Sequence, residues 1–196
     1  MIDKLYAERK SIKKNMLSVE QEINDKGKSK ELDIKHTRLD NSHMSIKIMM
    51  NSLFGAMGNP WFRYYDLRIA EAITLSGQLS ILQAEKTVND LMNDLMKTEG
   101  KDYVIAIDTD SVYINFGPMV EKMELGEDKL KTVKVLDWIV EEKFVPAVAD
   151  AYEDLAKYMN AYENKMVMAR EVIADSGIWT AKKRYVLIVN TPEGVQ

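Results

Sequence analysis

The sequence predicts an α+β fold: a helical hairpin over residues 1–57, then an antiparallel sheet backed by long helices. Three observations carry this. Residues 2–24 and 31–54 both show helical apolar spacing and are joined by the polar, glycine-containing NDKGKS. Residues 103–107 and 112–116 are short β-branched and aromatic runs flanking four polar residues, which reads as a hairpin. Long helical stretches, 60–99 and 129–160, lie before and after it.

In the first helix Leu5, Ile12, Met16 and Val19 lie near one face, and Arg9, Lys10, Lys13 and Lys14 crowd onto another. Arg9 and Lys13 are one turn apart, close enough to grip one anion together, although most such residues form only a solvated face. The link at 24–29 is short, so the two helices run antiparallel. The second helix ends in KIMMNSLFG, where Lys47, Asn51 and Phe54 share a face at i, i+4, i+7. A cation, an amide and an aromatic are an odd mixture for a core contact. A triphosphate with its base would use all three.

Pro60 suits the first turn of the long helix that follows. Ile69, Ile73, Leu82, Leu91 and Leu95 are its expected core face. Residues 117–126 read as loop. Residues 129–160 read as helix with a break at Pro146, and Trp138, Phe144 and Tyr152 read as core. Residues 165–174 alternate loosely and read as a strand. A final apolar strand, 185–189, follows Lys183 and Arg184, which on spacing alone form a solvated edge.

The chain has 196 residues, enough for one domain or two small ones, and 46% are hydrophobic, so a core can form. Cysteine is absent, which excludes disulfides and thiolate metal sites. No apolar run approaches a membrane span, so a soluble, intracellular protein with no membrane partner is expected. A net charge of −4 argues against a free-standing nucleic-acid binder, though not against local basic surfaces.

The turn of the hairpin holds Asp108, Thr109, Asp110 and Ser111. Asp tolerates turn geometry, so the acids have a bland reading as turn formers. Yet two-residue hairpins prefer Asn-Gly or Asp-Gly, and this turn has no glycine. Two carboxylates at one tip repel each other. A divalent metal relieves that repulsion, and hard oxygen donors suit Mg²⁺.

The string IDTDS between two strands resembles motif C of family B DNA polymerases, usually seen as YGDTDS. KIMMNSLFG resembles their motif B, K-x₃-N-S-x-Y-G. Residues 56–78, AMGNPWFRYYDLRIAEAITLSGQ, are similar to the stretch after motif B in the T-even-type bacteriophage members, and WTAKKRY at 179–185 resembles their KKRY motif. The resemblance covers nearly the whole chain. It implies a fingers helical hairpin over 1–57 and a partial palm over 58–196.

KLYAERKSIKKNML looks like the first fingers helix, which implies that Arg9, Lys13 and Lys47 grip a triphosphate while Asn51 and Phe54 lie over the nascent base pair. In the family these helices swing towards the palm when the correct nucleotide binds. Asp108 and Asp110 become the catalytic, metal-binding carboxylates for two Mg²⁺ ions, Asp110 as the direct ligand, with Thr109, Ser111 and Glu171 auxiliary. Lys182, Lys183, Arg184 and Tyr185 hold the primer strand, and Arg63, Tyr64, Tyr65 and Arg68 are able to reach DNA or to pack. The implied reaction is template-directed addition of a deoxynucleoside triphosphate to a primer 3′ end, with primer–template DNA as partner, in the cytoplasm of a host cell.

Three positions depart from the family pattern. Phe54 replaces a usual Tyr, Ile107 a frequent Gly, and Ala169 an Asp beside Glu171. A motif A string, D-x-x-S-L-Y-P, does not occur in these residues. The expectation is therefore catalytic incompleteness alone, with partner fragments supplying exonuclease, motif A and thumb. The rival expectation is a non-catalytic remnant serving as an assembly module.

Overall fold

The computed structural model describes residues 2–125 and 128–191, arranged as two compact units that divide between Ile73 and Thr74. The first unit is a helical hairpin. Helix α1 (Ile2–Lys26) and helix α2 (Lys30–Met57) are joined across Gly27, whose φ of 86° is a left-handed conformation that glycine adopts without cost. Ser29 caps α2, its hydroxyl accepting from the Leu32 N–H at 3.2 Å, and Glu31 and Asp33 suit the positive end of the helix dipole.

Both helices shield a seam of heptad spacing: Leu5, Arg9, Ile12, Met16, Val19 and Ile23 on α1, and Leu32, His36, Leu39, His43, Ile46, Met50 and Leu53 on α2. Arg9 therefore lies between Leu5 and Ile12 on the shielded side. It does not share an outer face with Lys10 and Lys14, as the basic cluster implied. The guanidinium's long stem lets a charged residue take a seam position.

Residues 58–66 form successive turns in place of the expected helical start at Pro60. Asp66 is the reason: its carboxylate accepts from the Arg68 N–H at 3.0 Å, so helix α3 (Leu67–Met96) begins only there.

The second unit has its core on α3 at Ile81, Ala84, Val88 and Met92. Leu91 packs against that core, but Ile69, Ile73, Leu82 and Leu95 are exposed, contrary to expectation. α3 carries apolar residues on several faces, so its period left the buried one open.

Strands β1 (Val104–Asp108) and β2 (Ser111–Ile114) pair antiparallel, with a bulge after Val104. Residues 117–126 are expected as loop; over 117–122 the chain instead forms a short helix, α4 (Gly117–Lys122), with Pro118 in its first turn and Met119 buried, while Gly126 lies outside the described residues. Helix α5 (Lys129–Ile139) runs through a π-helical turn (Val140–Phe144) into α6 (Val145–Tyr158). Pro146 lacks the N–H that an α-helix needs, and the chain answers with one wide turn, Val145 N–H to Val140 C=O, in place of a break. Phe144 and Tyr152 are buried as expected, whereas Trp138 is 60% exposed.

Strands β3 (Ile173–Ala181) and β4 (Arg184–Thr191) form a separate antiparallel pair. The expected strand over 165–174 is irregular up to Ile173. Across the two-residue turn at Lys182 and Lys183, β4 pairs back as far as Ile173, which lies opposite Thr191.

Candidate active site

Register places Asp108 opposite Ser111, leaving Thr109 and Asp110 as the turn. Thr109 has a φ of 57°, a region that β-branched residues avoid, and the Asp110 N–H donates to the Asp108 carbonyl at 2.6 Å. Such strain costs on the order of 1–3 kcal/mol and persists where the surroundings enforce it. The Thr109 hydroxyl donates to Asp108 Oδ1 at 3.1 Å. Asp108 is half-buried and Asp110 exposed.

Tyr113, on β2, connects this tip to the second hairpin. Its ring lies 5.4 Å edge-on from Trp179 and 5.4 Å edge-on from Tyr185, and those two rings stack at 6.2 Å. Burial pushes the Tyr113 hydroxyl well above the usual phenol range, and its hydrogen bond to Tyr185 and the charges of Asp108 and Glu171 push the same way. Asp108 and Glu171 thus bear on one hydroxyl. Arg170, adjacent to Glu171, is occupied elsewhere: its Nε lies 2.7 Å from Asp137 Oδ1, a close ion pair whose N–H is not aimed along a hydrogen bond. Lys182 and Lys183 form the exposed turn of the β3–β4 hairpin, Lys183 with a φ of 62°, and Arg184 pairs with Ala181.

Two carboxylates at a solvent-facing tip suit a hard divalent cation, and they offer it one anchoring point. Among the described residues no group of three or more His, Asp or Glu side chains is placed to hold a metal.

In the first unit, Arg9, Lys13 and Lys47 share a neighbourhood, for all three charges act on one imidazole, His43. Burial holds His43 below the usual histidine range, the three cations add to that, and Asp40 opposes them. His43 Nε2 and Arg9 Nε are both enclosed and without a hydrogen-bond partner. Lys47, Asn51 and Phe54 are exposed along α2, one side of the helix as their spacing required. Sequence reasoning missed His43. Its signal was present: one turn before Lys47, on the heptad of Ile46 and Met50.

Hard oxygen donors and clustered cations are the two provisions that phosphoryl-transfer chemistry asks of a protein. The profile of DNA polymerase family B matches residues 1–137, a span containing both provisions, and the chain belongs to that family. It is 40% identical over 162 residues to the DNA-directed DNA polymerase of Escherichia phage RB69, covering 76% of this chain and 18% of that protein. It is 39% identical over 163 residues to the DNA-directed DNA polymerase of Enterobacteria phage T4, covering 78% of this chain and 18% of that protein. A DNA polymerase beta of African swine fever virus is 30% identical over 174 residues, 83% of this chain and 14% of that protein. The chain thus spans less than a fifth of these relatives. The basic turn at Lys182 lies beyond the family match. Among the described residues no helix is long and apolar enough to cross a membrane.

Proposed function

We propose that this chain supplies the fingers and part of the palm of a DNA-directed DNA polymerase that adds deoxynucleoside triphosphates to a primer 3′ end. The observation that carries the reading is the Asp108–Asp110 turn, strained at Thr109 and tied through Tyr113 to the strand that bears the basic turn. Family membership and the cationic cluster on the helical hairpin support it.

On this reading Arg9, Lys13 and Lys47 hold the triphosphate, and Asn51 and Phe54 face the nascent base pair. Asp110 and Asp108 are the residues that hold Mg²⁺. When bound, the ions neutralise charge on the phosphates and lower the barrier to attack by the primer hydroxyl. Thr109 orients Asp108, Ser111 closes the turn, and Glu171 adds negative potential beside Tyr113. Lys182, Lys183, Arg184 and Tyr185 steady the primer backbone, each phosphate contact being charge-assisted. The carboxylate needed from across the site comes from a D-x-x-S-L-Y-P strand outside these 196 residues, on the same polypeptide or another.

Primer extension tests this. The 196-residue chain is assayed alone and with a fragment carrying exonuclease and motif A, adding thumb if needed. Extension only in the mixture supports the reading. Robust extension by these residues alone overturns the need for a second carboxylate. A stable complex with no activity favours a non-catalytic assembly module.

A further inference from the structure

Two nitrogens in the helical hairpin lack partners. His43 Nε2 and Arg9 Nε are enclosed, and both belong to seam positions that an apolar side chain would fill at lower cost. Among the described residues, the groups whose charges act on His43 are Arg9 and Lys13 from α1 and Asp40 and Lys47 from its own helix, three cations against one carboxylate. Such a site repels a further proton. A polyanion entering it reverses the sign of the local field. An imidazolium can then donate to a phosphate oxygen, which a nitrogen presenting its lone pair cannot.

We propose that His43 is a proton-carrying ligand for the terminal phosphates of a nucleoside triphosphate, taking up one proton as the polyphosphate settles among Arg9, Lys13 and Lys47. This rests on the triphosphate reading of that cluster and adds a fourth, conditional donor to it. Two enclosed nitrogens and two lysine ammonium groups call for several anionic oxygens, and a polyphosphate end carries more of them than the two non-bridging oxygens of a single backbone phosphodiester. His43 here is a binding and positioning residue, not one that touches the reacting phosphorus.

The chain has two histidines, so His36, on the same helix, is an internal control. The full 196-residue chain is titrated with inorganic tripolyphosphate, without metal, while the imidazole resonances are followed by NMR near neutral pH. His43 should move to the imidazolium position and His36 should not. The affinity of the native chain should then rise on acidification more steeply than that of His43→Gln, by up to about tenfold per pH unit for one proton. Comparing the two chains cancels protonation of tripolyphosphate itself. A His43 ring that stays neutral at saturation, or identical pH profiles, overturns the proposal while leaving the cluster's role intact. A Lys47→Ala chain that binds tripolyphosphate as tightly as the native one overturns the underlying reading instead, and no binding at all overturns both. The NMR arm uses the native chain, so it does not depend on any variant folding.

Discussion

The Tyr113 and Tyr185 rings meet edge-on at 5.4 Å, joining β2 of the carboxylate hairpin to β4 of the basic hairpin. Each hairpin has only two strands, and isolated two-stranded sheets are marginal in water. The aromatic contact, with Trp179 as its third member, packs one hairpin against the other. Tyr113→Phe keeps the ring and removes the hydroxyl shared with Tyr185. The sign follows from linkage. A phenol whose folded pKa is raised contributes stability that is present below the unfolded value, about 10, and lost as pH rises past it. Urea denaturation should show the native chain losing stability above about pH 10 and Tyr113→Phe losing less. Equal alkaline slopes would refute the coupling.

Gly177 stands where a Cβ would come 2.5 Å from Leu187 Cδ2 and 2.8 Å from the Trp179 ring. Leu187 can swing aside, but the indole is wedged against two tyrosines. Gly177→Ala should cost roughly 1–3 kcal/mol. It should also shift tryptophan fluorescence, because the Trp179 ring must leave its place. A melting curve and emission spectrum like the native chain's would show that Trp179 is free to move.

Asp110→Asn keeps shape and removes charge. In a complemented primer-extension assay it should lower incorporation by more than about a hundredfold, because metal-borne charge stabilisation is worth several kcal/mol. Folding should be nearly unchanged, since mutual repulsion with Asp108 is relieved. Full activity with Mg²⁺ in this variant would remove the metal role from the turn.

Arg9→Leu should pull stability and function apart. Leucine at a seam position between Leu5 and Ile12 should stabilise the hairpin by about 1–2 kcal/mol, as at other functionally reserved sites. Nucleotide affinity should fall roughly tenfold or more, through loss of a charge-assisted contact. Thermal melting and nucleotide titration on the same preparation check both halves. A destabilised variant would mean that Arg9 is structural.

The acid side carries a related expectation. His43 has a lowered folded pKa, so the unfolded chain binds the proton first. Stability conferred by the neutral imidazole is present above about pH 6.5 and is lost as pH falls below it, levelling off below the folded value. His43→Leu should flatten that loss in denaturant melts taken across this range. An unchanged acid slope would place His43 outside the cationic neighbourhood.

The elements legible in the residues were those with local causes. A glycine in a polar link marked the helical hairpin, and an apolar run on each side of DTDS marked the first strand pair. The spacing of Lys47, Asn51 and Phe54 marked a shared side of α2. Each depends only on neighbours within a turn or a strand's reach, where spacing and geometry are equivalent.

What the tertiary structure alone decided depended on partners distant in sequence. α3 offers several apolar faces, and packing against Tyr103, Met119, Ile139 and Phe144 selected that of Ala84, Val88 and Met92. Trp138, apolar by composition, remained outside that core. Arg9 counted as one of several basic residues until α2 covered it, and His43 had no visible role until Arg9, Lys13 and Lys47 surrounded it. Burial and field at a side chain are sums over everything packed around it. A sequence states which groups can contribute to such a sum, and only the folded chain states which of them are near enough to count.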